Sequence, residues 1–190
     1  MLDRGLRRLD TPFETASMED LAAASELPRS SLYYRFANKD QVLVFLADGM
    51  IGRLAAAVAQ AYEASPRALP RVAALVEAHL RHFADCPGVA QLLLVQFARL
   101  GDLLDVSQRI EEAFHRPVAD LLREAGADGH PQLADPELAS EALYGALTAV
   151  ALRRIVRDDE DDVHDVSARL MQVFGLAGAT GRTAAVSRRR

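Results

Sequence analysis

Ser17-Met-Glu-Asp-Leu-Ala-Ala-Ala-Ser-Glu-Leu-Pro-Arg-Ser-Ser-Leu-Tyr-Tyr-Arg-Phe-Ala-Asn-Lys39 is the stretch that decides how this chain folds. Ser17 with Asp20 three residues on is a capping-box pattern, in which each side chain satisfies a backbone N–H at the other's end of the first helical turn. Pro28 suits the first turn of a second helix, where its missing N–H leaves no bond unmade. Asn38 with Gln41 would cap a third, long helix reaching about Ala64, where Ser65-Pro66 ends it. Leu21, Leu27, Leu32 and Phe36 supply apolar contacts between these helices, and Ala22 and Ala23 allow close approach. The turn between the first two places Glu26 where a glycine would give free access to positive φ.

Working outward, helical periodicity continues to the C-terminal region with no convincing run of alternating β-branched residues, so the chain reads as all-α. Leu2, Leu6, Leu9 and Phe13 predict a short first helix stopped near Thr11-Pro12. Further helices are expected over about Leu69–Asp85, Gly88–Leu100, Val106–Ala125, Pro136–Arg157 and Asp162–Gly175. The expected organisation is a three-helix N-terminal domain over 1–45, a larger helical domain over 46–177, and a disordered arginine-ended tail over 178–190. The 190 residues are half hydrophobic, enough for a sizeable core, and tryptophan is absent. One cysteine, Cys86, leaves no intramolecular disulfide. No signal-peptide pattern and no uninterrupted apolar run of about 18–20 residues is present, so a cytoplasmic protein away from membranes is expected.

The net charge of −5 argues at first against a nucleic-acid partner. Its distribution weakens that objection, because Pro28 to Lys39 holds Arg29, Arg35 and Lys39 and no acid, while acids gather in Asp158–Asp162. Arg29, Ser30, Ser31, Tyr33, Tyr34 and Lys39 are residue types that reach base edges and phosphates together. The segment resembles the DNA-binding domain of the TetR family of bacterial transcriptional regulators. The resemblance rests on Ser17 to Ala22, Arg29 to Phe36, and Asn38-Lys39-Asp40 leading into a long helix. It implies a helix-turn-helix in which Arg29, Ser30 and Ser31 face bases in the major groove. Tyr33 and Tyr34 would contact phosphates or thymine methyl groups, Lys39 a phosphate, and Ser17 would act as cap and possible phosphate contact. Only 16 residues precede Ser17, short for the family's first helix, and Arg4, Arg7 and Arg8 are candidates for its minor-groove arm.

The resemblance also implies a ligand-binding and dimerisation domain after the third helix, because a palindromic double-stranded operator is read by a homodimer. The last two long helices are the interface candidates. Ala142, Gly145, Ala146 and Ala149 form a small-residue stripe flanked by Leu143, Leu147 and Val150, with Val166, Leu170, Val173 and Phe174 facing in from the final helix. An apolar cavity for a small effector would draw on Phe83, Leu92, Leu93, Val95, Phe97, Leu100, Leu103, Phe114 and Leu122. Gln96, Arg99, His115 and Tyr144 would orient the effector by hydrogen bonds.

His79, His82 and Cys86 share a helix face, as a soft-metal or thiol site would require, but no second ligand cluster accompanies them, and no metal or cofactor is expected. The acidic run reads as a loop favouring the next helix N-terminus. No phosphate-cradling glycine loop, dinucleotide fingerprint, nucleophile elbow or zinc-protease pair occurs, so an enzyme is not expected. The reading is a one-component repressor released by a small, largely apolar effector. The alternatives are a helical protein-interaction adaptor, with Tyr33 and Tyr34 as anchors, or a small helical enzyme.

Overall fold

The structure, a computed structural model, describes residues 2–96, 106–127, 135–157 and 161–176. Every element among the described residues is helical. They are α1 (Leu2–Arg7), α2 (Met18–Ala24), α3 (Arg29–Arg35), α4 (Lys39–Ala64), α5 (Ala68–Asp85) and α6 (Pro87–Val95), followed by α7 (Val106–Ile110), a π-helical turn (Glu111–His115) and α8 (Arg116–Ala127) in unbroken succession, then α9 (Pro136–Arg157) and α10 (Val163–Val173).

Local chemistry sets the ends. The Ser17–Asp20 box forms in both directions, with Asp20 N donating to Ser17 Oγ at 3.1 Å and Ser17 N donating to Asp20 Oδ2 at 2.8 Å. Asn38 Oδ1 accepts from Gln41 N at 3.0 Å, which starts α4 at Lys39. Pro28 is the cap of α3 and not its first helical residue, because its extended ψ of 132° turns its carbonyl to accept from Ser31 and Leu32. α1 stops at Arg7, earlier than Thr11-Pro12, with Arg8 N closing a tight turn on Gly5 O at 3.0 Å. The helix expected over Val106–Ala125 is continuous but carries a π turn within it. Pro117 has no N–H for the carbonyl four residues back, so the ladder is carried past it by Arg116 N reaching Glu111 O.

Two apolar clusters hold the molecule. In the N-terminal one, Leu21, Leu32, Val42 and Leu43 are at most 1 % exposed; each such side chain contributes about 1.5–3 kcal/mol by burial. Val89 and Leu92 of α6 and Val106 and Ile110 of α7 complete this cluster, so it is built from both ends of the sequence's first 110 residues. The second cluster joins α4, α5, α8, α9 and α10 through Leu75, Phe114, Leu121, Leu143 and Leu147. α4 supplies Val42, Leu43, Leu46 and Ala47 to the first cluster and Leu54, Val58 and Ala61 to the second. By length and composition alone α4 is long and apolar enough to cross a membrane, yet here it is the rod shared by two cores.

Close backbone approach fixes α1 between the end of α2 and the start of α6. A Cβ on Gly5 would lie 2.7 Å from Ser25 Cα, and one on Gly88 would lie 2.7 Å from the Asp3 carbonyl oxygen. Asp3 Oδ1 also accepts from Val89 N at 3.0 Å, tying α1 to the start of α6.

Candidate nucleic-acid interface

α2 ends in a Schellman motif that sets the angle to α3. Leu27 N donates to Ala22 O at 2.9 Å and Glu26 N to Ala23 O at 3.1 Å, with Glu26 at φ 55°. The same motif closes α10, where Gly175 takes the positive φ of 67° and Leu176 N reaches Met171 O. Glu26 is thus a side chain in a glycine's conformation, with its carboxylate ion-paired to Arg8.

This turn leaves α3 anchored by Leu32 and otherwise outward-facing. Arg29, Ser30, Ser31, Tyr33 and Tyr34 are all exposed, and Tyr34 is 91 % exposed. An exposed phenol of that degree makes no contribution to the chain's own core. Arg29 is ion-paired with Glu19 of α2 and sits 5.5 Å from the centre of the Tyr33 ring. Tyr33 Oη donates to Glu19 Oε1 at 2.9 Å. That hydrogen bond, more than the Arg29 charge, holds the Glu19 carboxyl below its ordinary range, and the same contact raises the Tyr33 phenol. Glu19 therefore occupies the position between a guanidinium and a phenol that an anionic phosphate oxygen would take. Sequence spacing gave no sign of this residue, since it lies on the preceding helix.

Two expected contacts are reassigned. Lys39 donates all three ammonium protons to backbone carbonyls, to Phe13 O at 2.9 Å and to Glu14 O and Ala16 O at 2.7 Å, over the Phe13 ring. With no donor left for a phosphate, Lys39 is the clasp of the α1–α2 connection. The Ser17 hydroxyl accepts from Asp20 N and donates to Asp20 Oδ2 at 2.8 Å, so it is a cap beside a carboxylate that repels phosphate. The arm candidates are partly committed too, as Arg8 pairs with Glu26 and the Arg7 stem lies against Gly88.

Residues 10–44 match the family model described as bacterial regulatory proteins, tetR family. The segment that holds α2 and α3 is thus similar to the N-terminal region of tetR-family regulatory proteins. No curated protein sequence matches the chain. Among solved structures, the chain is similar to the fatty acid degradation regulator FadR from Bacillus halodurans (20 % identity, TM-score 0.75, covering 95 % of each chain). It is also similar to the TetR family transcriptional regulator PfmR from Thermus thermophilus (22 %, TM-score 0.74, 91 % of this chain and 95 % of that one). A third is FadR from Bacillus subtilis in complex with stearoyl-CoA (16 %, TM-score 0.68, 93 % and 96 %). These likenesses show a shared fold over 91–95 % of the chain. The family matched over residues 10–44 is described as one of bacterial regulatory proteins.

In the larger helical region, two of the expected cavity-lining residues and two of the expected ligand-orienting ones converge. Phe83, Phe114, His115 and Tyr144 pack with His79, the ring centres of His79 and Phe83 being 4.8 Å apart and those of Phe114 and Tyr144 5.1 Å. His79 is 4 % exposed, and burial pushes its imidazole down to about 3. His79 Nε2 and His115 Nδ1 are buried with no hydrogen-bond partner. Gln96 does not join this group. It is buried at the end of α6 against Glu14, so it links α6 to the clasped turn. Leu92 belongs to the N-terminal cluster, and Val95 is 68 % exposed. Phe97, Arg99, Leu100 and Leu103 lie outside the described residues, as does the tail from 177 onward.

The interface candidates separate into two sets. Leu143 and Leu147 are fully buried in the chain's own core and Leu170 is 8 % exposed there, so none is available to a partner. Val150 and Phe174 are half-buried against the same core. The exposed face is instead Leu138, Ala142, Gly145, Ala149 and Val156 of α9, with Val173 of α10 at 80 % exposure. The sequence named the helices and the small-residue stripe, but not which side of α9 the core would claim.

His79, His82 and Cys86 do not converge. His79 points into the aromatic cluster, while His82 accepts from Arg53 Nε at 3.0 Å. Among the described residues no group of three metal-ligating side chains is formed. From the acidic run, Asp162 caps α10 by accepting from His164 N at 2.8 Å.

Proposed function

We propose that this chain is a cytoplasmic, homodimeric transcriptional repressor that binds a palindromic operator and is released by a small, largely apolar effector. The observation that carries it is α3, a helix held by one buried leucine that projects Arg29, Ser30, Tyr33 and Tyr34 into solvent from a TetR-type domain. Arg29 is the candidate for bidentate contact to a guanine, and Tyr34 for a phosphate or a thymine methyl group. Operator phosphates would displace Glu19 from Arg29 and Tyr33.

The exposed stripe on α9 with Val173 supports dimerisation, since an apolar face with small residues lets two helix pairs approach closely in a four-helix arrangement. The effector site is the aromatic cluster around His79, Phe114 and Tyr144. Buried imidazole nitrogens without partners are costly, and a ligand hydrogen bond would relieve that cost. FadR from Bacillus subtilis has been solved with stearoyl-CoA, which favours an acyl compound as the first effector class to test. Phe114 and His115 of the cluster lie on the π turn, which packs on α4, and α4 begins at the N-terminal helices. An effector that prefers a different placement of α4 would change the spacing of the two α3 helices and weaken operator binding by its differential affinity.

Fluorescence anisotropy with DNA from the upstream region of the chain's own coding sequence tests the reading. Saturable binding that weakens steeply with salt is expected. Arg29→Ala should relax preference at one base pair, a loss there of about 1–3 kcal/mol. Absence of salt-dependent binding to that DNA and to random duplex alike refutes DNA binding.

A further inference from the structure

A cleft of about 620 Å³ lies outside the effector cluster, at the junction of α1, α3, α4 and the α5–α6 turn. Its walls are mainly apolar: Leu32 and Phe36 from α3, Phe45 and Leu46 from α4, and Val89 from α6. Phe45 is 49 % exposed and stacks on Phe36 with ring centres 5.3 Å apart, so an aromatic surface faces solvent here instead of core. The volume falls in the range of small-molecule sites.

Two guanidinium groups face this cleft. Arg35 and Arg53 both line it, and neither has a carboxylate partner among the described residues, whereas seven other arginines are ion-paired. Arg53 donates only to neutral groups, His82 Nε2 at 3.0 Å and the Met50 sulfur. The one acid in the lining, Asp3, already accepts from Val89 N. Two guanidinium groups beside an apolar wall complement a molecule with an oily body and a carboxylate, which an arginine fork binds through two parallel hydrogen bonds.

We propose that the cleft between the recognition helix and α4 is a binding site for a small amphipathic monoanion, its carboxylate held by Arg35 and Arg53 and its apolar body against Phe36, Phe45 and Val89. This site is separate from the effector cluster and does not depend on that assignment. Its ligand would lie along α3 at Ser31, Leu32 and Arg35.

The full chain supplies its own reporter, because Cys86 is the only cysteine and lines the cleft. Dodecanoate is the probe, with dodecanol as its uncharged counterpart. Calorimetric titration should give saturable dodecanoate binding, and saturation should slow Cys86 alkylation by iodoacetamide at least fivefold. Dodecanol should bind at least tenfold more weakly. Gly49→Leu fills the cleft from its floor, where a Cβ meets nothing nearer than the Arg53 guanidinium at 3.9 Å, so the fold should be retained. That variant should lose the binding heat, and the Arg35→Gln, Arg53→Gln pair should weaken it at least tenfold. Equal binding of dodecanol, full binding by Gly49→Leu, or unprotected Cys86 at saturation would each overturn the proposal. Gly49→Leu should leave DNA affinity in the absence of ligand intact, which separates failure of the cleft proposal from that of the repressor reading.

Discussion

Replacing Glu26 tests how the angle between α2 and α3 is set. Its φ of 55° places a β-carbon in the left-handed region, which disfavours a non-glycine residue by roughly 1–2 kcal/mol. Glycine removes that strain but brings extra freedom to the unfolded chain, disfavouring the fold by about 0.5–1 kcal/mol. Glu26→Gly also breaks the ion pair to Arg8, so comparison with wild type alone mixes two effects. Glu26→Ala loses the same pair and keeps the strain. The difference between the two variants therefore isolates the backbone, and Glu26→Gly should be the more stable by about 0.5–1 kcal/mol, the balance of those two terms. At this chain length that corresponds to a rise of about 1–4 °C in melting temperature. Thermal unfolding followed by circular dichroism, at one fixed protein concentration, measures it. If Glu26→Ala melts at or above Glu26→Gly, the Schellman geometry assigned to this turn is wrong.

Other outcomes follow from the same contacts. Lys39→Met should lower stability by about 1.5–3 kcal/mol through the three carbonyl bonds it loses. Operator affinity would fall only in step with unfolding, so a large affinity loss with an unchanged melt would restore a phosphate contact. Glu19→Gln should tighten binding to random duplex severalfold and steepen the salt dependence by about one unit of slope, because one repelling charge leaves and Arg29 is released; an unchanged slope argues against it. Gly145→Arg should convert dimer to monomer in sedimentation velocity without lowering helicity, since a Cβ there meets nothing within 4 Å. Persistence of the dimer would place the interface elsewhere. His79 is neutral when buried, with its imidazole depressed to about 3, so its contribution is present above the unfolded value near 6.5 and is lost as pH falls from there toward 3. His79→Phe should flatten the melting temperature over that window relative to wild type; parallel curves would show that His79 takes up its proton without opening the core.

What the sequence alone determined was local. Ser17 with Asp20, Asn38 with Gln41, and Pro136 announced helix starts because a cap acts within one turn, and the outward residues of α3 were legible because Leu32 and Phe36 leave one side of so short a helix unburied. Glu26 was marked as the strained turn residue by the same short-range geometry. Tertiary structure decided whatever depended on a partner distant in the chain. Lys39 reads as a phosphate ligand until three carbonyls from residues 13–16 surround it, and Arg29 reads as free until α2 brings Glu19 beside it. Leu143 and Ala142 are neighbours in sequence, and only the packing of α5 and α8 on one side of α9 sends the first into the core and leaves the second outside. Helical periodicity fixes which residues share a face; which face meets the core is settled by the helices that arrive to cover it.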